Sequence, residues 1–146
     1  MKWHPHCQYM EIPRDYSLLE LARFHGHLGP YIVLGYRMGR YALGRFGENP
    51  FAISARVYCS GITPQSCLAD GVQLGSGCTL GKRNIELIIS EQVFCEFSND
   101  NEKIRLIPKS LKTFSDDTPD YECRIEDYSS ILYTLPDEDL FTIEAF

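Results

Sequence analysis

A helix predicted over residues 30–45 constrains this fold more than any other segment, because it carries two glycines four residues apart. Pro30 suits the first position of a helix, and Gly29 suits the turn before it. Within the helix, Gly35 and Gly39 each cost up to about 1 kcal/mol against alanine, so their spacing indicates that another backbone packs closely there. We expect that neighbour to be a second helix or a strand of a sheet.

The rest of the chain shows further helices and a group of strands, so we expect an α+β fold with helices packed on a mainly antiparallel sheet. A capping box from Ser17 to Glu20 predicts a first helix over residues 17–24. Residues 51–59 alternate between two faces with the period of a half-buried strand. Further segments are predicted as a helix over 65–75, an antiparallel meander of strands over 85–89, 93–97 and 103–107, a helix over 121–133 and a short tail from 140.

Size and charge narrow the possible classes of protein. With 146 residues and 44% hydrophobic content, the chain can bury one compact core, so we predict a single domain over residues 1–146. A net charge of −6 gives phosphate backbones no electrostatic reason to bind, which argues against a nucleic-acid partner. No window approaches the roughly 18 apolar residues of a membrane span, and the start of the chain lacks a signal-like apolar run. We therefore expect a cytoplasmic protein whose cysteines are reduced.

Two histidines at the predicted break between the first two helices are the first candidates for chemistry. His25 and His27 flank Gly26 where side chains and unpaired N–H groups point into shared space. Imidazoles held there can bind a metal or carry protons. The alternative is that both rings cap helix ends and bond backbone carbonyls.

Cys67 is the second candidate, in the first turn of a helix predicted to begin after Pro64. The positive end of a helix lowers a thiol's pKa and favours the thiolate, which binds metals and attacks electrophiles. Asp70 and Gln73 follow at three-residue intervals and give this helix a polar face. Alternatively, the two polar side chains face water, and Cys67 is a small buried hydrophobe.

Three other features are weaker candidates. The glycine-rich loop from Gly75 to Lys82 can form an anion-binding turn, although its spacing is not that of a P-loop. Cys59 and Cys78 are reserve ligands, and an amino-terminal cluster resembles a ligand set: His4, His6 and Cys7. From residue 116 onward, ten acidic residues accompany one base, and we interpret this run as a solvated surface.

These motifs together resemble the E-subunit family of formylmethanofuran dehydrogenase. The resemblance rests on FHGHLGPYIVLGYRMGRYAL, on PQSCLADGVQLGSGCTLGKRNIEL about forty residues later, and on the ending LPDEDLFTIEAF. It implies an α+β core, a homodimer, and a site formed by His25, His27 and Cys67 with Asp70 and Gln73 beside them. The family's usual motif has a cysteine where this chain has Gly29. Many members also carry a cysteine-rich zinc finger after the core, and these 146 residues contain none.

We draw three functional hypotheses from the residues and the resemblance. In the first, His25, His27 and Cys67 hold a divalent transition metal, most simply zinc, with catalytic or redox activity in anaerobic one-carbon metabolism such as methanogenesis. In the second, the chain is a non-catalytic accessory protein that docks on the larger subunits of a molybdenum or tungsten formylmethanofuran dehydrogenase. In the third, Cys67 is a metal-free nucleophile with His25 or His27 as base and Asp70 nearby.

Overall fold

A computed structural model describes Tyr9 and residues 12–146 of the chain. The helices are α1 (Leu18–His25), α2 (Pro30–Phe46), α3 (Leu68–Ser76), α4 (Tyr121–Thr134) and α5 (Asp137–Leu140), with a 3₁₀ turn at Gln65–Cys67. The strands are β1 (Ser54–Cys59), β2 (Ile85–Ile89), β3 (Phe94–Ser98), β4 (Lys103–Pro108) and β5 (Phe141–Ala145). None of the helices in this part of the chain is long and apolar enough to cross a membrane.

The five strands form one open sheet in the order β2-β1-β3-β4-β5. Only β1 and β2 run parallel, and the other neighbours are antiparallel. The predicted α+β class with a mainly antiparallel sheet is therefore confirmed. The predicted meander is wrong at its start, because β1 lies between β2 and β3 and pairs with both. The predicted tail is also wrong over its last residues, since β5 pairs with β4 from Pro108 and Phe141 onward.

One face of the sheet forms the hydrophobic core together with the helices. Alternate residues of the central strands are fully buried in it, among them Val57 of β1, Phe97 of β3 and Leu106 of β4. From the helical layer, Leu34 and Met38 of α2 join the same cluster. The period of two seen in the sequence thus marks the core face of the sheet correctly.

Four glycines hold α2 and α3 in backbone contact. A Cβ atom on Gly35 would lie 2.2 Å from the carbonyl oxygen of Leu68, and one on Gly39 would lie 2.7 Å from the amide nitrogen of Ser76. Gly71 and Gly75 on α3 are equally close to the backbone of α2. The close packing predicted from the α2 glycines is confirmed, with a helix as the neighbour. Because this spacing is used inside the molecule, the homodimer prediction rests on the family resemblance alone.

Local signals place α1 and α2 as expected. The backbone N–H of Glu20 donates to the Ser17 hydroxyl at 3.2 Å, and the Ser17 N–H donates to the Glu20 carboxylate at 3.0 Å. Gly26 ends α1 with φ of 93°, a left-handed conformation that costs glycine little. The chain then turns and enters α2 at Pro30, so both histidines of the H-G-H motif lie at this turn.

Candidate functional site

A pocket of about 400 Å³ lies where the α1–α2 turn faces the start of α3. His25, His27 and Gly29 line it from the turn, and Cys67 lines it from the 3₁₀ turn before α3. The rest of the lining comes mainly from residues 111–114 and from the first turns of α4. The structure therefore brings the three residues predicted as metal ligands to one pocket.

His25 is held by Asp70 through a short hydrogen bond. The distance from His25 Nδ1 to Asp70 Oδ2 is 2.6 Å, and the two side chains are 14% and 38% exposed. If the carboxylate is ionised it can only accept a hydrogen bond, in which case Nδ1 would carry the hydrogen and a neutral His25 would present Nε2 as an acceptor. Asp70 does not itself line the pocket, and it acts on the pocket through His25.

His27 lies beside His25 and over Gly29. The ring centroids of the two histidines are 5.8 Å apart, and His27 is exposed. A Cβ atom on Gly29 would lie 2.9 Å from His27 Cε1, closer than side chains normally approach. A cysteine at position 29, as the family resemblance implies for other members, would therefore require the His27 ring to move. In this chain the imidazole fills the space beside the Gly29 backbone.

Cys67 lies in a setting that opposes the expected thiolate. It is the last residue of the 3₁₀ turn and precedes α3, so it is not inside the first turn of one continuous helix. Burial raises the pKa of the Cys67 thiol, and the charge of Asp70 raises it further. The predicted lowering of this pKa is therefore wrong, because desolvation and a nearby carboxylate outweigh the helix terminus.

The part of the pocket formed by residues 111–114 and α4 was not anticipated from the sequence. The hydroxyl oxygen of Tyr128 on α4 accepts the Lys112 backbone N–H at 3.0 Å, and the rings of Phe114 and Tyr128 meet edge to face at 5.6 Å. These contacts hold the segment before α4 against the pocket. Tyr31 lines the pocket from α2, and burial raises the pKa of its phenol, so it stays a neutral donor. The aromatic residues scattered through the acidic region were the sequence signal that could have indicated this part of the pocket.

Several weaker candidates lie elsewhere. Gln73 does not line this pocket, and its Oε1 accepts the Leu80 backbone N–H at 3.0 Å. Cys59 and Cys78 are buried and are not among the pocket residues. The amino-terminal cluster of His4, His6 and Cys7 lies outside the described residues.

The family of this chain follows from its sequence over most of its length. Residues 24–142 match the family described as FmdE, molybdenum formylmethanofuran dehydrogenase operon. The chain belongs to the FmdE family. The resemblance to the E-subunit family of formylmethanofuran dehydrogenase is thereby confirmed, and every residue predicted for the site lies within the FmdE match: His25, His27, Cys67, Asp70 and Gln73.

A curated relative of this FmdE-family chain comes from Archaeoglobus fulgidus. It is described as a probable S-adenosyl-L-methionine-binding protein and is 37% identical over 70 residues. The aligned part is 47% of this chain but only 19% of the relative. The chain thus spans about a fifth of the relative's length.

The side chains at the pocket offer donor types that suit the predicted metal. Two imidazoles and a thiol are ligands that zinc commonly takes. Within residues 12–146 and Tyr9, however, no group of three or more His, Cys, Asp or Glu side chains is arranged to hold a metal ion. The pocket therefore has suitable donor types without a formed coordination site, and metal binding by His25, His27 and Cys67 stays a prediction.

Proposed function

We propose that this FmdE-family domain binds a small organic molecule in the pocket and exchanges a proton with it through Nε2 of His25. The 2.6 Å bond between His25 Nδ1 and Asp70 carries this proposal. A carboxylate in this position fixes the imidazole tautomer and orientation and stabilises the imidazolium that forms when Nε2 takes a proton. His25 would be the acid–base group, and Asp70 would position it.

The remaining walls suit a ligand with an apolar body and a few polar groups. A volume of about 400 Å³ is within the range of small-molecule sites, and such sites combine apolar walls with a few well-placed polar groups. Here Phe114 and Ile125 offer apolar surface, while the Tyr31 hydroxyl and Lys112 offer donors. The raised pKa of Cys67 argues against a metal-free thiolate nucleophile and leaves Cys67 as a neutral neighbour of the ligand.

The tautomer of His25 provides a test that needs no known substrate. In ¹⁵N-labelled protein, two-bond ¹H–¹⁵N correlations show which ring nitrogen carries the hydrogen. We expect the Nδ1–H tautomer in the wild type and a shift toward Nε2–H in Asp70→Asn, because the amide can donate to Nδ1. Asp137→Asn, which removes a carboxylate bound to Arg37, should leave the His25 signals unchanged.

Ligand binding provides the second arm of the test. A fragment library screened by ligand-observed NMR should give binders that are displaced or weakened by His25→Gln. Wild-type His25 found mainly as the Nε2–H tautomer, or fragments that bind equally well to His25→Gln, would contradict the acid–base role.

Metal binding is a second candidate, favoured by the shared pocket of His25, His27 and Cys67. The Asp70 carboxylate on His25 also matches the hydrogen-bond partner that orients many metal-binding histidines. Because no three-ligand group is formed among the residues that the structure describes, binding requires new side-chain rotamers.

Elemental analysis and zinc titration of protein prepared without chelators test this second candidate. Stoichiometric zinc that is lost in Cys67→Ser and retained in Cys123→Ser would support it, since Cys123 is an exposed cysteine on α4. Absence of zinc in the wild type, with no saturable uptake on titration, would exclude it.

A further inference from the structure

A second pocket, of about 370 Å³, lies between the segment before α1, the end of α3 and the loop that follows α3. Among the described residues, it has no lining residue in common with the first pocket. The glycine-rich loop singled out in the sequence forms one side of it, through Thr79 and Lys82. This loop therefore serves a different site from the one formed by the histidines.

Two cations line this second pocket without a carboxylate partner. Within the described part of the chain, neither Arg14 nor Lys82 forms an ion pair. Lys82 Nζ donates to the Thr79 hydroxyl at 2.8 Å and lies 5.7 Å from the centre of the Phe51 ring. Burial lowers the pKa of Lys82, Cys78 partly offsets this, and the positive charge of Arg14 lowers the pKa further. Two like charges that repel each other in a recess are stabilised when an anion enters.

Arg14 also has an unused donor. One guanidinium nitrogen, Nη2, donates to the Glu48 carbonyl oxygen. Its Nε is buried and has no hydrogen-bond partner among the residues described. A buried donor without a partner is costly, and an acceptor group brought close to it by a ligand would lower that cost.

The backbone around both cations is fixed before any ligand binds. The Thr79 N–H donates to Asn84 Oδ1 at 2.9 Å, and the Leu80 N–H donates to Gln73 Oε1 at 3.0 Å. On the other side, Arg40 donates to the Arg14 carbonyl oxygen at 3.3 Å. Ligand binding therefore does not have to order these loops, which favours affinity.

The rest of the pocket is apolar and partly exposed. Phe24 is 56% exposed and Leu80 is 70% exposed, and both line the pocket together with Tyr16 and Leu74. Large apolar side chains beside a pair of unpaired cations suit a ligand that has an anionic head and a flat apolar body.

We propose that this second pocket binds a phosphate ester that carries an aromatic or similarly flat apolar group. Arg14 would contact the phosphate through its planar guanidinium, and Lys82 would contact it as a point charge. Two separate cations and the Thr79 hydroxyl match a phosphate dianion better than a singly charged carboxylate. The apolar body would lie against Phe24 and Leu80. This proposal is independent of the His25 pocket.

Calorimetric titration of the full chain with phenyl phosphate tests the proposal. We expect one saturable site with a dissociation constant in the range of 1 mM or tighter, that is, about −4 kcal/mol or better. Inorganic phosphate should bind more weakly because it lacks the apolar body, and neutral benzyl alcohol should not saturate. Arg14→Gln and Lys82→Gln should each weaken phenyl phosphate at least about tenfold, the effect of one lost charge-assisted bond.

Three controls separate specific binding from general attraction and from misfolding. Lys82→Arg should retain phenyl phosphate binding, and Lys109→Gln, which removes an exposed cation elsewhere, should bind like the wild type. His25→Gln should also bind phenyl phosphate like the wild type. The result for this pocket then does not depend on whether the function proposed for the His25 pocket is correct. Thermal unfolding checks that each variant is folded.

Several results would overturn the proposal. Among them are the absence of saturable phenyl phosphate binding to the wild type, equal weakening by Lys109→Gln, and unchanged binding in both Arg14→Gln and Lys82→Gln. Inorganic phosphate that binds as tightly as phenyl phosphate would refute the role of the apolar wall.

Discussion

At the scale of single residues, Cys67 shows that burial and one charge can reverse the influence of a helix terminus. Its position before α3 predicts a lowered pKa. Burial of the sulfur raises the pKa instead, and the nearby Asp70 carboxylate raises it further. At neutral pH the thiol therefore stays protonated. The same carboxylate binds His25, so one residue fixes an imidazole and suppresses a thiolate.

Removing the Asp70 charge should make Cys67 more reactive. In Asp70→Asn the pKa of Cys67 falls, so at a fixed pH below that pKa the thiolate fraction rises and alkylation accelerates several-fold. The measurement is the rate of iodoacetamide labelling across pH, resolved by peptide mass spectrometry so that the exposed Cys123 is counted separately. Asp137→Asn should leave the Cys67 rate unchanged. An identical pH profile in Asp70→Asn would show that the Asp70 charge does not act on this sulfur.

The sequence predicted which residues approach one another at the first pocket better than it predicted what each does there. The H-G-H turn and Cys67 were expected to converge, and both line the pocket. Gln73 was expected beside them, but it binds the Leu80 N–H because the loop after α3 needs an acceptor there. Such a partner depends on the path of a loop, which local periodicity does not describe.

At the scale of helices, the sequence predicted only one side of the contact between α2 and α3. The spacing of Gly35 and Gly39 predicted a close neighbour. The matching spacing of Gly71 and Gly75 identified that neighbour only once the structure placed the two helices together. Spacing within a helix indicates which face is close-packed, but not what packs against it.

Substitution of a glycine at this contact should be severe. A Cβ atom on Gly71 would lie 2.0 Å from the carbonyl oxygen of Ile32, and backbone cannot move aside as a side chain can. We expect Gly71→Ala to lower the free energy of unfolding by at least about 2 kcal/mol. Gly44→Ala is the matched control, since nothing lies within 4 Å of its Cβ position, and it should raise stability by up to about 1 kcal/mol. Urea denaturation of both variants decides the matter, and equal midpoints would contradict the close contact.

Arg37 links α2 to the end of α4, a contact that the sequence did not reveal. Its Nη1 donates to the carbonyl oxygens of Leu132 and Tyr133 at 3.0 and 2.9 Å, and its Nη2 donates to Asp137 at 3.0 Å. The partners are about 100 residues away along the chain, beyond the reach of any local pattern.

Loss of the Arg37 guanidinium should therefore loosen the acidic carboxyl-terminal region. Arg37→Gln leaves helix-terminal carbonyls without donors, and we expect a loss of about 2–3 kcal/mol in the free energy of unfolding. Arg45→Gln, on the same helix but paired with Glu102 at the surface, should have a much smaller effect. Hydrogen exchange of α4 amides, together with chemical denaturation, measures both. Equal effects of the two substitutions would mean that Arg37 is no more than a surface cation.

At the scale of the whole molecule, sequence patterns predicted the fold class but not the strand order. Local sequence pattern located β1, β2, β3 and β4 correctly, because burial on one face imposes a period of two on β1 and strand-forming residues mark the other three. It could not show that α3 carries the chain from β1 to a parallel neighbour, β2, which makes β1 an inner strand. Which strands are neighbours depends on crossover geometry, and the short β5 has only one buried residue to mark it, Phe141.

On the face of the sheet opposite the core, one buried carboxylate, Glu96 of β3, links neighbouring strands. It accepts a hydrogen bond from the Tyr58 hydroxyl of β1 at 3.1 Å and two from Arg105 of β4, at 2.9 and 3.2 Å. Arg105 in turn covers the Phe94 ring at 4.6 Å. Burial alone raises the pKa of Glu96, but the bonds from Arg105 and Tyr58 outweigh it and bring the pKa below its usual value. Three strands are thus linked through one ionised side chain.

This linkage predicts part of the molecule's sensitivity to acid. Because the pKa of Glu96 is lower in the folded than in the unfolded chain, its contribution is fully present above the unfolded value, roughly 4.3, and is lost as the pH falls through the folded value. Chemical denaturation of the wild type and of Glu96→Gln at pH 7 and at successively lower pH should show that the free energy of unfolding falls less with acid in the variant. Glu144→Gln, an exposed carboxylate on the same face of β5, should retain the wild-type pH dependence. Parallel curves for the wild type and Glu96→Gln would show that protonation of Glu96 does not couple to unfolding.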